Sequence, residues 1–296
     1  MIKLFWNTNN QQKPNSNDKK IREKQESNYG WGEYHKKSSD KWIYTILEKI
    51  KYNIIESETN LEKEDILIIV DSSVEEKSEL YAKLNLICSK VFLFHLGDEF
   101  GIHDLSYIYN KCNYIWRPFC SSKYFSNEKV KCIPLGYKSG VLNKKKSNRK
   151  YKWAFTGTPH KSSRHDLLFQ FSDIEPFFCH KTDKFDRKNI SVDDMNDVLS
   201  LAEFIPCPYG FFHPETYRVF EALECGCIPI VENAYEYYDR LFPNNPFIKI
   251  NKWIDAKAML KGWSKDQVKK KSEECSLWWK KEKSDIQNFV KDKITL

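Results

Sequence analysis

Apolar residues in this chain gather into short continuous runs separated by polar stretches with helical spacing. Asp65-Ile-Leu-Ile-Ile-Val70 is one such run and Val91-Phe-Leu-Phe-His95 another. Tyr114-Ile-Trp-Arg117 and Val130-Lys-Cys-Ile-Pro-Leu135 are shorter. Runs apolar at every position suit strands covered on both faces, as in a parallel sheet. The stretch Glu75 to Lys90 between two of them predicts a helix. Upstream, Asn7 to Lys41 is polar and without period, which predicts a loop. Gly136 to Lys152 collects glycine, serine, asparagine and lysine and reads as a linker.

After that linker the rhythm restarts. Lys152-Trp-Ala-Phe-Thr156 predicts a strand, with a helix from about His165. Ile174 to Cys179 and Ala202 to Pro206 predict strands, and Val192 to Ser200 a helix. Pro214, with Glu215 in its first turn, predicts the start of a helix that ends at Gly226. Cys227-Ile-Pro-Ile-Val231 predicts the next strand, and Lys265 to Val290 a long amphipathic helix. No internal repeat occurs. Two successive α/β stretches in 296 residues predict two Rossmann-like domains, 1–145 and 146–296, facing each other across a cleft.

Composition narrows the class. Hydrophobic residues at 41% and aromatics at 15% supply real cores, which excludes a disordered chain. The formal net charge is +7. Much of the excess sits in two runs, Lys144-Lys145-Lys146 with Arg149, Lys150 and Lys152, and Lys269-Lys270-Lys271 with Lys280 and Lys281. Both read as solvated faces rather than nucleic-acid contacts, and a positive balance also suits a nucleotide diphosphate. The nine cysteines show no Cys-x-x-Cys spacing, so free thiols and no zinc site are expected. No window is apolar and long enough for a membrane span, and the first residues are too short and polar-flanked for a signal peptide. The expected location is therefore the cytosol, as for a soluble bacterial or virus-encoded enzyme.

Ligands of open α/β sheets sit beyond the carboxyl ends of the strands. One candidate there is Gly157-Thr-Pro-His-Lys-Ser-Ser-Arg164, neither a Walker loop nor Gly-x-Gly-x-x-Gly. Backbone N–H groups at the helix start, with Lys161 and Arg164, suit a phosphate. An ordinary strand–helix turn with surface cations fits equally. The second candidate is Pro208-Tyr-Gly-Phe-Phe-His-Pro-Glu-Thr-Tyr-Arg-Val-Phe-Glu-Ala-Leu-Glu-Cys-Gly-Cys-Ile-Pro-Ile230. Thr216, Arg218 and Glu221 share its helix, and Arg218 and Glu221 share a face. They could simply pair. Alternatively Arg218 meets a diphosphate, Glu221 accepts ribose hydroxyls, and Tyr209-Gly210 lets a ligand approach the backbone.

This window, with Trp153-Ala-Phe-Thr-Gly157, Arg164 and Ile133-Pro-Leu-Gly136, resembles the donor region of exostosin-like GT-B glycosyltransferases. His95-Leu-Gly-Asp-Glu99 resembles a loop of the ribitol-xylosyltransferase branch. The resemblance implies an N-terminal domain for the acceptor, a C-terminal domain for a nucleotide sugar, and transfer with inversion. It implies donor-binding roles for Arg218 and Glu221, with Thr216 where the family often has serine. A Glu-x7-Glu pair is not reproduced, since His213 stands near its first position.

An inverting transfer needs a base for the acceptor hydroxyl. Asp98 or Glu99 is the expected base, with His95 and His103 as rivals. No Asp-x-Asp triplet occurs, so no metal and no cofactor is expected. Arg218, Lys161, Arg164 and helix N-termini would neutralise the leaving diphosphate. Sugars stack on aromatic rings. Trp31, between glycines in Tyr29-Gly-Trp-Gly-Glu-Tyr34, is expected over an oligosaccharide or glycoprotein-glycan acceptor, with His95 nearby. The expected activity is a metal-independent transfer of xylose from UDP-xylose. GDP-fucose is the alternative donor, and a non-catalytic basic module that binds nucleic acid or glycan is the alternative of another class.

Overall fold

The computed structural model describes residues 1–8, 31–142, 144, 148–182, 190–210 and 212–296. They form two compact units, Met1–Leu135 with Ile286–Leu296, and Gly136–Asp285. The expected boundary at 145/146 lies outside the described residues. The observed division comes earlier, and the end of the chain returns to the first unit.

The first unit is a six-stranded parallel sheet, order β2-β1-β3-β4-β5-β6. Its strands are β1 (Ile2–Asn7), β2 (Asn53–Ile55), β3 (Ile66–Asp71), β4 (Lys90–His95), β5 (Tyr114–Arg117) and β6 (Val130–Cys132). Helices α1 (Trp31–Ile46), α2 (Ser78–Ile87) and α3 (Ser106–Tyr109) connect them. The continuous apolar runs are the central strands, buried on both faces as their pattern requires. Leu67, Ile69, Leu93 and Ile115 pack with Tyr81, Leu84 and Ile108 from α2 and α3. Trp116 stacks on Phe94, with ring centroids 4.8 Å apart.

Two expectations are corrected here. The segment expected to be loop through Lys41 contains α1, which begins at Trp31. Only its last turns are strongly apolar, where Trp42, Ile43 and Ile46 are buried, so the helical period is short. The cysteines are not all free either. Cys120 and Cys132 form a disulfide with Cα atoms 5.8 Å apart. Pairing of β5 with β6 brings them together, a long-range contact that their 12-residue separation does not announce.

The second unit is a five-stranded parallel sheet, order β11-β10-β9-β7-β8. Its strands are β7 (Tyr151–Gly157), β8 (Phe177–Lys181), β9 (Ala202–Cys207), β10 (Ile228–Glu232) and β11 (Ile248–Ile250). Its helices are α4 (Arg164–Gln170), α5 (Val192–Leu201), α6 (Tyr217–Glu224), α7 (Tyr237–Leu241) and α8 (Trp253–Gly262), and α9 (Lys265–Thr295) follows. Trp153 is buried, stacked on Phe177 at 4.9 Å and edge-on to Phe171. Phe220 of α6 meets Phe242 and Trp279.

The strand order changes side between β7 and β9, with β8 on one side of β7 and β9, β10 and β11 on the other. That is the switch point, where neighbouring crossovers run to opposite faces and leave a crevice beyond the strand ends. Helix α6 begins at Tyr217 rather than at Pro214. The reason is local. The Glu215 carboxylate accepts from Tyr237 Oη at 2.7 Å, and the Pro214 carbonyl from Tyr238 Oη at 2.9 Å. These contacts hold residues 214–215 ahead of the helix, and Thr216 follows with extended backbone.

Candidate active site

At the switch point of the second sheet, Gly157 ends β7 with φ +139°, a region that favours glycine. A Cβ there would lie 3.1 Å from Arg218 Nη2 and 3.7 Å from Arg164 Nη1. One glycine thus opens room for two guanidiniums that arrive from different helices.

Arg164 opens α4 and is 8% exposed. Its Nη1 donates to Thr158 O at 3.1 Å and its Nη2 to Tyr209 O at 3.1 Å, while Nε is buried without a partner. Arg218, in the first turn of α6, donates from Nη2 to Thr156 O at 2.8 Å and lies over the Phe155 ring. Neither is paired with a carboxylate among the described residues. Burial, and then the neighbouring Arg218, bring the Arg164 guanidinium down to about 9. Two like charges held on backbone carbonyls suit an anion with several oxygens.

Thr216 sits at the N-cap of α6, with extended backbone. Its hydroxyl does not cap the helix and is buried without a partner among the described residues. The first N–H groups of α6 add their own positive end. Glu221, one turn further along, is 8% exposed. Its carboxyl is raised by burial, against Lys138, Arg218 and a backbone N–H from Lys138. It forms no ion pair with Arg218 within 4.0 Å, so the simple pair weighed from the sequence is not what these two residues make.

The loop after β9 completes the site. Tyr209 accepts from Arg164, and its N–H donates to Glu232 Oε2 at 3.3 Å. Gly210 donates to His213 O at 3.1 Å, and residue 211 is not among those described. Lys161 is half-buried in the turn that Ser162 makes with φ +47°. Trp253 Nε1 holds Ser163 Oγ at 2.9 Å, which pins this turn to α8. Gly157, Lys161, Arg164, Tyr209, Thr216, Arg218 and Glu221 therefore share one strand-end region. Glu232 belongs to it too. The strand was expected to end at Val231, one residue short of this acid, although an acid at the carboxyl end of a sheet strand is a usable signal.

The candidates in the first unit are placed differently. Asp98 has φ +62° and a fully enclosed side chain, with Oδ2 3.2 Å from Arg117 Nη2. Arg117 also donates to Tyr109 Oη at 2.9 Å. His95 is fully buried, with Nδ1 2.8 Å from Tyr109 Oη, and burial holds its pKa well below the usual histidine range. Asp98 and His95 are thus parts of one interior network with Arg117 and Tyr109. Glu99, next along, is half-buried, and His103 lies 3.8 Å from Glu75. Trp31 begins α1, and its side chain is outside the described residues, as are Tyr29 and Gly30. Among the described residues, no group of three or more His, Cys, Asp or Glu could hold a metal, and no helix is long and apolar enough to cross a membrane.

The family model described as the RXYLT1 C-terminal domain matches residues 137–294, just over half of the chain. The chain belongs to this family. It is an exostosin-like glycosyltransferase of GT-B fold. The matched region holds every residue of the second-unit site. A solved α1,3-fucosyltransferase is similar in fold, with TM-score 0.52 at 13% identity, over 100% of this chain and 90% of that one. The N-terminal domain of Candida albicans trehalose-6-phosphate phosphatase is similar over 95% of this chain and 77% of that one, with TM-score 0.51 at 9% identity. Among curated proteins, none matches by sequence.

Proposed function

We propose that this member of the family transfers xylose from UDP-xylose to a glycan hydroxyl, with inversion and without a metal. The second unit binds the donor, and the first unit binds an oligosaccharide or glycoprotein-glycan acceptor. The observation that carries the donor assignment is the pair Arg164 and Arg218 around Gly157, two cations that have no carboxylate partner among the described residues and stand at a sheet switch point.

Each group then has a role in the transfer. Arg164, Arg218 and the N–H groups of α6 hold the diphosphate and take up the charge that grows on it as the sugar leaves. The Thr216 hydroxyl is a further donor to a phosphate oxygen. Glu221 accepts from ribose hydroxyls. These fixed cations supply the neutralisation that a divalent ion provides in other transferases, which is why the reaction is expected to run in EDTA.

A donor panel tests this. UDP-xylose, UDP-glucose, UDP-GlcNAc, UDP-galactose, GDP-fucose and GDP-mannose are compared by thermal shift and slow hydrolysis, with EDTA present. UDP-xylose is expected to give the largest shift and the fastest hydrolysis. GDP-fucose in first place would replace xylose by fucose. Dependence of turnover on added magnesium or manganese would overturn the metal-free part.

A further inference from the structure

Strand β10 carries Ile228-Pro-Ile-Val231 through the second sheet as buried residues and ends on one acid, the half-buried Glu232. Burial pushes this carboxyl up, so an acid here has a cost that a polar or apolar residue would not. Donors from two other segments offset it. Glu232 Oε2 accepts from Tyr209 N at 3.3 Å, in the loop after β9. The Ser163 hydroxyl donates to the same carboxylate from the turn after β7.

Both segments lead to Arg164. Ser163 precedes it at the N-cap of α4, where serine usually caps the helix. This hydroxyl makes no cap bond. It accepts the Trp253 indole N–H at 2.9 Å and turns to Glu232 instead. Ser162, one residue earlier, is held at φ +47°, and its hydroxyl donates to Tyr209 O at 3.4 Å. A left-handed serine persists only where its surroundings fix it. Tyr209 O also accepts from Arg164 Nη2 at 3.1 Å. Tyr209 is thus tied through its N–H to Glu232 and through its carbonyl to Arg164. Glu232 makes no ion pair with Arg164 or Arg218 among the described residues. It fixes the frame around the guanidiniums and leaves their charge to a ligand.

We propose that Glu232 is a positioning residue of the donor site, whose carboxylate staples the turn after β7 to the loop after β9 and so aims Arg164 at the diphosphate. This rests on the glycosyltransferase reading above. A carboxylate suits the task because it accepts from several donors at once. An apolar residue at 232 would leave the Tyr209 N–H and the Ser163 hydroxyl without this acceptor, and the carbonyl that orients Arg164 would lose its anchor.

Isothermal titration of UDP tests the staple. Glu232→Ala is expected to weaken UDP binding about tenfold. Glu232→Gln keeps an oxygen for the Tyr209 N–H and should stay within about threefold of wild type. Arg164→Lys keeps a charge for the phosphate but lacks the fork that the Tyr209 carbonyl orients. In that background Glu232→Ala is expected to cost less than about twofold further, since a residue acting through Arg164 has little left to aim. Losses that multiply in the double variant would mean that Glu232 acts on the ligand independently, and would overturn the staple. Unchanged affinity in Glu232→Ala would overturn it too, as would a Glu232→Gln variant as weak as Glu232→Ala. If Glu232→Ala does not fold, Ser163→Ala takes its place in the same cycle, with a loss of about threefold expected alone and none beside Arg164→Lys. A wild-type protein that does not bind UDP would overturn the donor site, and the staple with it. Wild-type binding retained in Glu232→Ala would overturn the staple alone.

Discussion

Arg164 is expected to burden the empty fold and serve the filled one, and Arg164→Met separates these effects. Burial and Arg218 bring its guanidinium down to about 9. At about 1.4 kcal/mol per pH unit, keeping it charged at neutral pH costs the fold on the order of 5 kcal/mol. The folded pKa lies below the unfolded one, so this cost is present below about 9. It fades as the pH rises beyond that, where the folded chain has shed a proton that the unfolded chain still holds. Methionine removes the charge and fills similar volume. It also leaves the carbonyls of Thr158 and Tyr209 without their donor, at about 1–3 kcal/mol each. The terms nearly offset, so the unliganded variant is expected level with wild type or stabilised by up to about 3 kcal/mol. UDP at about a hundred times its Kd should stabilise the wild type by about 2.7 kcal/mol, a Tm rise of several degrees. In the variant that rise should largely vanish. Thermal unfolding with and without UDP is the assay. A variant that melts well below wild type when empty, or keeps the full UDP shift, would refute the reasoning.

Thr216→Val removes a hydroxyl buried without a partner. The empty protein should be as stable as wild type or firmer by about 1 kcal/mol, while UDP binding weakens. Asp98→Ala leaves the enclosed Arg117 without its carboxylate. Denaturant unfolding should show a loss of about 3–5 kcal/mol, and a loss below about 1 kcal/mol would contradict a structural role for this pair. Dithiothreitol opens the loop closed by Cys120 and Cys132. The first unit should lose about 3 kcal/mol, and an unchanged denaturation curve would count against that bond.

The strands legible from the sequence were those buried on both faces, such as Ile66–Asp71 and Lys90–His95, because continuous apolar runs leave little alternative. β1 escaped notice because Lys3 interrupts it. In the fold that lysine reaches Asp65 at 3.0 Å and the Asn60 carbonyl at 2.7 Å, which makes it tolerable inside a sheet. In the second unit Gly157 ends a recognisable strand, Arg164 begins a helix, and Arg218 and Glu221 lie on the helix before the next strand, so the strand-end rule brings these candidates together. Asp98 follows a strand, where a carboxylate is expected to be available, and its partner Arg117 comes from another strand, β5, which the sequence does not announce.

Calorimetric titration of UDP into wild type, Arg218→Ala and Glu221→Ala, each shown to be folded, tests the central claim most directly. The account predicts saturable binding to wild type, with the affinity lowered about tenfold or more in each variant, as expected for loss of charge-assisted hydrogen bonds worth about 1.5–3 kcal/mol. Wild-type affinity in both variants, or no binding of UDP to the wild type even with magnesium or manganese present, would contradict it.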